Sequence, residues 1–153
     1  MKPRMNFQQA APDTISALRA LDAQVQASGL EQSLIELVRI RASQINGCAY
    51  CINMHSQDAR KHGETEQRIY LLNAWREAPA YTERERAALA WTDAVTLISE
   101  THAPDDVYNE VRPHFSEAEM VNLTMLIVTI NAWNRLAISF RAMPPVKAKA
   151  AAA

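Results

Sequence analysis

Only three glycines occur in this 153-residue chain, Gly29, Gly47 and Gly63, and each stands where a run of helix-spaced apolar residues stops. Glycine enters the left-handed conformation that closes a helix without a steric penalty. The chain is otherwise 48% hydrophobic, much of it Ala and Leu, residues that favour helix over turn. Ile15, Leu18, Leu21 and Val25 recur at helical spacing up to Gly29, with Asp13 or Thr14 placed to cap that helix. Leu34, Leu37, Ile40 and Ile45 line a second helix, stopped by Asn46-Gly47, and a third is predicted from Cys48 to His62 with Gly63 just past its end. Beyond that point prolines and caps set the boundaries. A fourth helix spans Thr65 to Arg76 ahead of Pro79. Thr82-x-x-Glu85, a capping box, opens a fifth through Ser99, and Pro104 to Arg112 forms a short sixth closed by Pro113. A second capping box, Ser116-x-x-Glu119, opens the longest helix, which runs to Phe140.

No segment alternates with the period of two that a half-buried strand requires. The expected fold is therefore an all-α, single-domain helical bundle of six or seven helices over residues 14–142. An N-terminal arm (1–13) precedes it and a loose tail (143–153) follows. The last helix is apolar nearly all round, through Met120, Val121, Leu123, Met125, Leu126, Ile127, Val128, Ile130, Trp133, Leu136 and Ile138. Such a helix must be covered on every side. Either its own domain surrounds it, or a second subunit supplies part of the cover. A net charge of −1 gives no electrostatic reason to expect nucleic acid or an anionic membrane as partner. Met1 to Gln8 is polar, unlike an export signal, and no uninterrupted apolar run reaches the about 18 residues of a membrane span. A reducing cytoplasm is the expected location, and there a lone pair of close cysteines is a catalytic or metal-binding feature more often than a structural one.

That pair is Cys48-Ala49-Tyr50-Cys51, with His55 four residues on, and the chain has no other cysteine. On a helix advancing about 100° per residue, Cys51 lies about 60° from Cys48 and His55 about 40° from Cys51, so the three share one face. A free thiol titrates near pH ~8.5; a helix N-terminus lowers that value because its unpaired N–H groups favour thiolate. Cys48 and Cys51 fall at the start of the third helix. Cys51 has His55 one turn away as a base, and Cys48, one turn back, is placed to resolve a sulfenic acid on Cys51 into a disulfide. Zinc is the rival chemistry, but a structural site takes four ligands and this helix offers two thiols and one imidazole, with no second C-x-x-C. A thioredoxin-type site is disfavoured because its C-x-x-C sits in a strand–helix setting.

The stretch from Glu36 through Arg39, Arg41, Asn46-Gly47, Cys48-Ala-Tyr-Cys51 and on to His55 resembles the signature of the alkylhydroperoxidase D-like (AhpD-like) proteins of the carboxymuconolactone decarboxylase superfamily. Ala59 to Glu64, Ala74 to Pro79, Glu83 to Trp91 and Ala132 to Ile138 resemble it too, so the likeness covers about Leu34 to Phe140. The resemblance implies an antioxidant thiol peroxidase in which Cys51 attacks the hydroperoxide, Cys48 resolves, and Glu36 with His55 forms the proton relay. No bound cofactor is implied. It also implies an external dithiol reductant, in some members a lipoylated protein, and a homo-oligomer, trimer or hexamer. Where the best-known members carry a second histidine just before the second cysteine, this chain has Tyr50. A phenol titrating near ~10 is a weak base at neutral pH. Two other readings are a carboxymuconolactone decarboxylase-like enzyme, which does not need the cysteine pair, and a dithiol redox sensor without turnover. Arg39, Arg41 and the Glu83-Arg84-Glu85-Arg86 run are expected at the surface, the run compensating its own charges. Trp75, Trp91 and Trp133 are expected to serve packing.

Overall fold

The computed structural model describes residues 2–145. Among them are nine α-helices and no strand: α1 (Phe7–Ala10), α2 (Pro12–Gln26), α3 (Gln32–Asn46), α4 (Ala49–Lys61), α5 (Glu66–Leu71), α6 (Glu83–Thr96), α7 (Ile98–Thr101), α8 (Asp105–Val111) and α9 (Glu117–Phe140). Short 3₁₀ turns follow α5 (Leu72–Ala74) and α8 (Arg112–His114). All seven helices expected from the sequence are present. The two additions, α1 and α7, are single turns.

The differences have local causes. Residues 7–10, expected within an arm, are wound into α1 because Asn6 accepts hydrogen bonds from the Gln8 and Gln9 amides at its start. Helix α2 begins at Pro12, so neither Asp13 nor Thr14 caps it. Proline at the first helical position has no N–H to leave unpaired, and Asp13 instead lies in the first turn, where a negative charge is favoured. Helix α6 stops at Thr96, where Leu97 leaves helical dihedrals (φ −97°, ψ 35°). Residues 143–145 are non-helical, and most of the expected tail lies outside the described residues.

Helices α3, α6 and α9 pack against one another at the centre, with α4 folded back on α3, α8 on α6 and α2 on α9. Leu37, Ile40, Leu89, Leu123, Leu126 and Ile127 are wholly buried there. Each such side chain contributes about 1.5–3 kcal/mol over its exposed state. Both predicted capping boxes form, at Thr82/Glu85 and Ser116/Glu119. The Glu83–Arg86 run, however, is not self-compensating. Arg84 pairs with Glu31 and Glu119, Glu85 pairs with Arg68, and Arg86 donates to the carbonyls of Trp75, Arg76 and Ala78.

Helix α9 is buried along one side by its own domain, while Val121 (63% exposed), Val128 and Ile138 face outward. By length and composition it could cross a membrane (mean hydropathy 1.3), yet 44% of that window is buried inside the bundle, where it serves as a core helix.

The α3–α4 turn positions the thiols. Gly47 takes left-handed dihedrals (φ 69°, ψ 31°). Its N–H reaches the Gln44 carbonyl at 3.2 Å, and the Cys48 N–H reaches the Ser43 carbonyl at 2.9 Å. This pair of bonds is a Schellman closure. The end of α3 thus hands the chain directly to Cys48, the residue that caps α4.

Candidate active site

Cys48 precedes the first turn of α4 rather than lying within it. Its sulfur accepts the Cys51 N–H at 3.3 Å, taking the place a serine or aspartate oxygen usually fills at a helix start. Cys51 is the third residue of α4, and the two cysteines are joined in a disulfide, with Cα atoms 5.4 Å apart. Both are buried (1% and 2% exposed) with Ala42, Ile130 and Ala137, and Trp133 and Tyr50 pack against that cluster.

His55 lies one turn after Cys51. Its Nδ1 is 2.9 Å from Glu36 Oε2, across the α3–α4 hairpin, and both residues are buried. The other carboxylate oxygen, Oε1, accepts from Gln32 Nε2 at 3.1 Å and from Arg39 Nη1 at 3.4 Å. Surrounded by donors, Glu36 acts as an acceptor, so His55 Nδ1 carries the proton in this bond. In that tautomer the Nε2 lone pair is free to accept a proton elsewhere. The structure thus pairs Glu36 with His55 across the hairpin and Cys48 with Cys51 at the start of α4.

Arg39 is not at the surface. It is buried and links Glu36 to α2, donating to Asp22 Oδ1 at 3.0 Å and Gln26 Oε1 at 2.8 Å. Arg41 turns the other way, to Asp93 at 2.7 Å and Asn73 at 3.0 Å. Beneath the hairpin turn, Asn46 Nδ2 donates to Asn131 Oδ1 and Asn134 Oδ1, both at 2.9 Å, and Asn134 Nδ2 donates to Ser43 Oγ at 3.0 Å. These bonds fasten the turn that carries Cys48 to α9. The sequence held one sign of them: Asn131 and Asn134, three apart, are polar residues on one face of a helix otherwise rich in apolar ones.

A cavity of about 680 Å³ opens onto Cys51 and His55. Its walls come from α4 (Tyr50, Met54), α9 (Trp133, Ala137, Phe140) and α2 (Arg19, Asp22), and from the N-terminal segment. Cys51 lines it and Cys48 does not. Trp133 is thus both packing and cavity wall.

The fold is all-α, and its α3–α4 hairpin carries a buried carboxylate–imidazole pair and the Cys48–Cys51 disulfide. The chain belongs to the carboxymuconolactone decarboxylase family, whose family model matches residues 10–94. It is 42% identical over 139 residues to the uncharacterized protein YdfG of Bacillus subtilis, covering 91% of this chain and 95% of that one. It is 51% identical to a structurally solved protein of unknown function from Agrobacterium tumefaciens, a candidate antioxidant-defence protein AhpD. That match has a TM-score of 0.93 and covers 95% of this chain and all of the other. The debrominase Bmp8 shares the fold at 22% identity, with a TM-score of 0.81 over 90% of this chain and 74% of its own. The AhpD-like, all-α reading of the sequence is borne out by these matches.

Proposed function

We propose that the protein is a dithiol-dependent peroxidase that reduces a hydroperoxide at Cys51. The observation that carries this reading is the His55–Glu36 hydrogen bond beside a cysteine that faces the cavity. His55 Nε2 takes the proton of the reduced Cys51 thiol, and Glu36 stabilises the imidazolium that forms. The thiolate attacks the terminal oxygen of the hydroperoxide. The O–O bond breaks, the organic oxygen leaves as an alkoxide, and it receives the proton from His55 to become an alcohol. Cys51 is left as a sulfenic acid. The Cys48 thiol then attacks the Cys51 sulfur, expels the oxygen as water and forms the disulfide. An external dithiol, of which a lipoylated protein is one chemical type, reduces the disulfide and returns two electrons and two protons.

Tyr50, in the position of the second histidine, leaves Cys48 without a neighbouring imidazole. Its N-cap position compensates in part, because the helix N-terminus favours its thiolate. The proposed setting is a reducing cytoplasm and a homo-oligomer, trimer or hexamer, in which the outward stripe of Val121, Val128 and Ile138 on α9 is covered by another subunit.

The test is peroxide consumption with dithiothreitol as reductant. Cys51→Ser is expected to abolish turnover. Cys48→Ser is expected to consume about one equivalent by the single Cys51 thiol and then stop or slow markedly. Full activity in both variants overturns the reading. Cysteine-independent decarboxylation of a carboxylated lactone would instead support the chemistry for which the family is named. Disulfide formation without steady-state turnover would make the pair a sensor.

A further inference from the structure

The N-terminal segment, read from sequence as an arm, is built into the wall of the cavity. Pro3, Met5, Asn6, Phe7 and Gln8 all line it. The segment is fastened at three places. The Arg4 amide donates to the Phe140 carbonyl at 3.0 Å and the Arg4 guanidinium to the Ser139 carbonyl at 2.8 Å. Those carbonyls belong to the last turn of α9, where they have no partner within the helix and where a cation is favoured. The Phe7 ring lies 5.7 Å from the Phe140 ring. Gln8 accepts from Arg19 of α2 at 2.9 Å. Residues 3–8 thus bridge from the end of α9 to α2 across the space in front of Cys51.

The material facing that space is mostly apolar and aromatic: Phe7, Tyr50, Met54, Trp133 and Phe140. A volume of about 680 Å³ is that of a site for a small organic molecule, many times what hydrogen peroxide occupies. A site serving hydrogen peroxide alone gains nothing from such a wall.

We propose that residues 3–8 are the specificity wall of the cavity and fit it to hydroperoxides bearing a large aromatic apolar group. The substrate class rests on the peroxidase reading, whereas the fit of the wall to a large aromatic group does not. Phe7 and Phe140 form the apolar end of the site, Arg4 holds the segment that carries Phe7, and the peroxide oxygen points toward Cys51.

The experiment separates the two by measuring binding first. The disulfide form of the full chain, which cannot react, is titrated with 2-phenyl-2-propanol, the alcohol left by cumene hydroperoxide, and with tert-butanol. The wild type is expected to bind the aromatic alcohol more tightly. The double variant Arg4→Ala, Phe7→Ala is expected to bind it about tenfold more weakly, since an aromatic wall is lost. Phe7→Leu, which keeps apolar bulk, is expected to recover most of that loss. Arg4 is exposed and Phe7 is only half-buried, so these variants leave the core intact. In steady state, the ratio of kcat/KM for cumene hydroperoxide to that for hydrogen peroxide is expected to fall by a similar factor in the double variant. Equal binding of the two alcohols by the wild type, or unchanged binding in the double variant, overturns the proposal. Wall-dependent binding in a protein with no peroxide turnover upholds the wall and sinks the peroxidase reading instead.

Discussion

The two halves of α9 lie in different surroundings. Its first half places Met120, Leu123, Leu126 and Ile127 in the large apolar core with α3 and α6. Its second half buries Asn131 and Asn134 beside Thr129, Ile130 and Ala137, next to the disulfide. In the first half, position is set by volume: any side chain of the right size and shape holds the helices apart at the right distance. In the second, position is set by direction. Asn46, Asn131, Asn134 and Ser43 each need a particular partner atom, and a buried amide without one costs about 1–3 kcal/mol. The stable half supplies rigidity, and the directional half uses it to aim the hairpin that carries Cys48, Cys51, His55 and Glu36.

Four measurements can break or sharpen this contrast. The largest expected effect is in the apolar half, where Leu126→Ala should lower unfolding free energy by about 2–5 kcal/mol in denaturant titration. The reactivity of the reduced thiols should be nearly untouched. If Cys51 slows as much as the fold weakens, the halves are not separable. Second, His55→Ala should slow reaction of reduced Cys51 with peroxide by about 100-fold at neutral pH, with a much smaller change in stability. Equal rates in the variant and wild type would remove His55 from the relay. Third, Asn134→Ala leaves Asn46 and Ser43 each short of a partner and should cost about 1–3 kcal/mol. Unlike Leu126→Ala, it should also slow disulfide formation, read as the rate at which oxidant closes the Cys48–Cys51 bond, because the turn is no longer fixed.

The smallest effect is at the start of α9. The Glu119 carboxyl is drawn down from its ordinary 4.5 to about 2, chiefly by the Ser116 backbone N–H and then by Arg84 and the Ser116 hydroxyl. Its folded value lies below its unfolded one. The stabilisation is therefore complete above about pH 4.5 and is lost as pH falls toward 2. Between those limits the melting temperature of Glu119→Gln should fall less steeply than that of the wild type. Parallel acid profiles would show that the box adds nothing to stability there. Glu119 is partly exposed and solvent screens its bond to Arg84, so the difference should be modest.

The helices were legible because their signals are local. Gly47 and Gly63 close helices by the left-handed dihedrals the sequence suggested, and both capping boxes close between residues three apart. Spacing put Cys51 and His55 one turn apart on α4, since i and i+4 on a helix are neighbours, whereas Cys48, expected within that helix, caps it with extended dihedrals and does not line the cavity. Glu36 was reached only through the family signature. Nothing local marks a glutamate on α3 as the partner of a histidine on α4, 19 residues away. Arg39 was misplaced for the same reason: its partners Asp22 and Gln26 are on another helix, and a charged residue with unknown partners reads as surface. The N-terminal segment was read as an arm because Arg4, Phe7 and Gln8 find their partners on α9 and α2, more than ten residues away.

The sequence by itself determined where the seven longer helices lie, the capping boxes that open α6 and α9, and the placing of Cys51 and His55 one turn apart on α4. All of these follow from bonds and angles spanning a few residues. Tertiary structure alone decided that Glu36 meets His55, that Arg39 ties that pair to α2, that Cys51 faces a cavity Cys48 does not, and that residues 3–8 close its wall. Each of these needs two segments distant in sequence to meet at hydrogen-bond or van der Waals range, and only the packing of α2, α3, α4 and α9 brings them there.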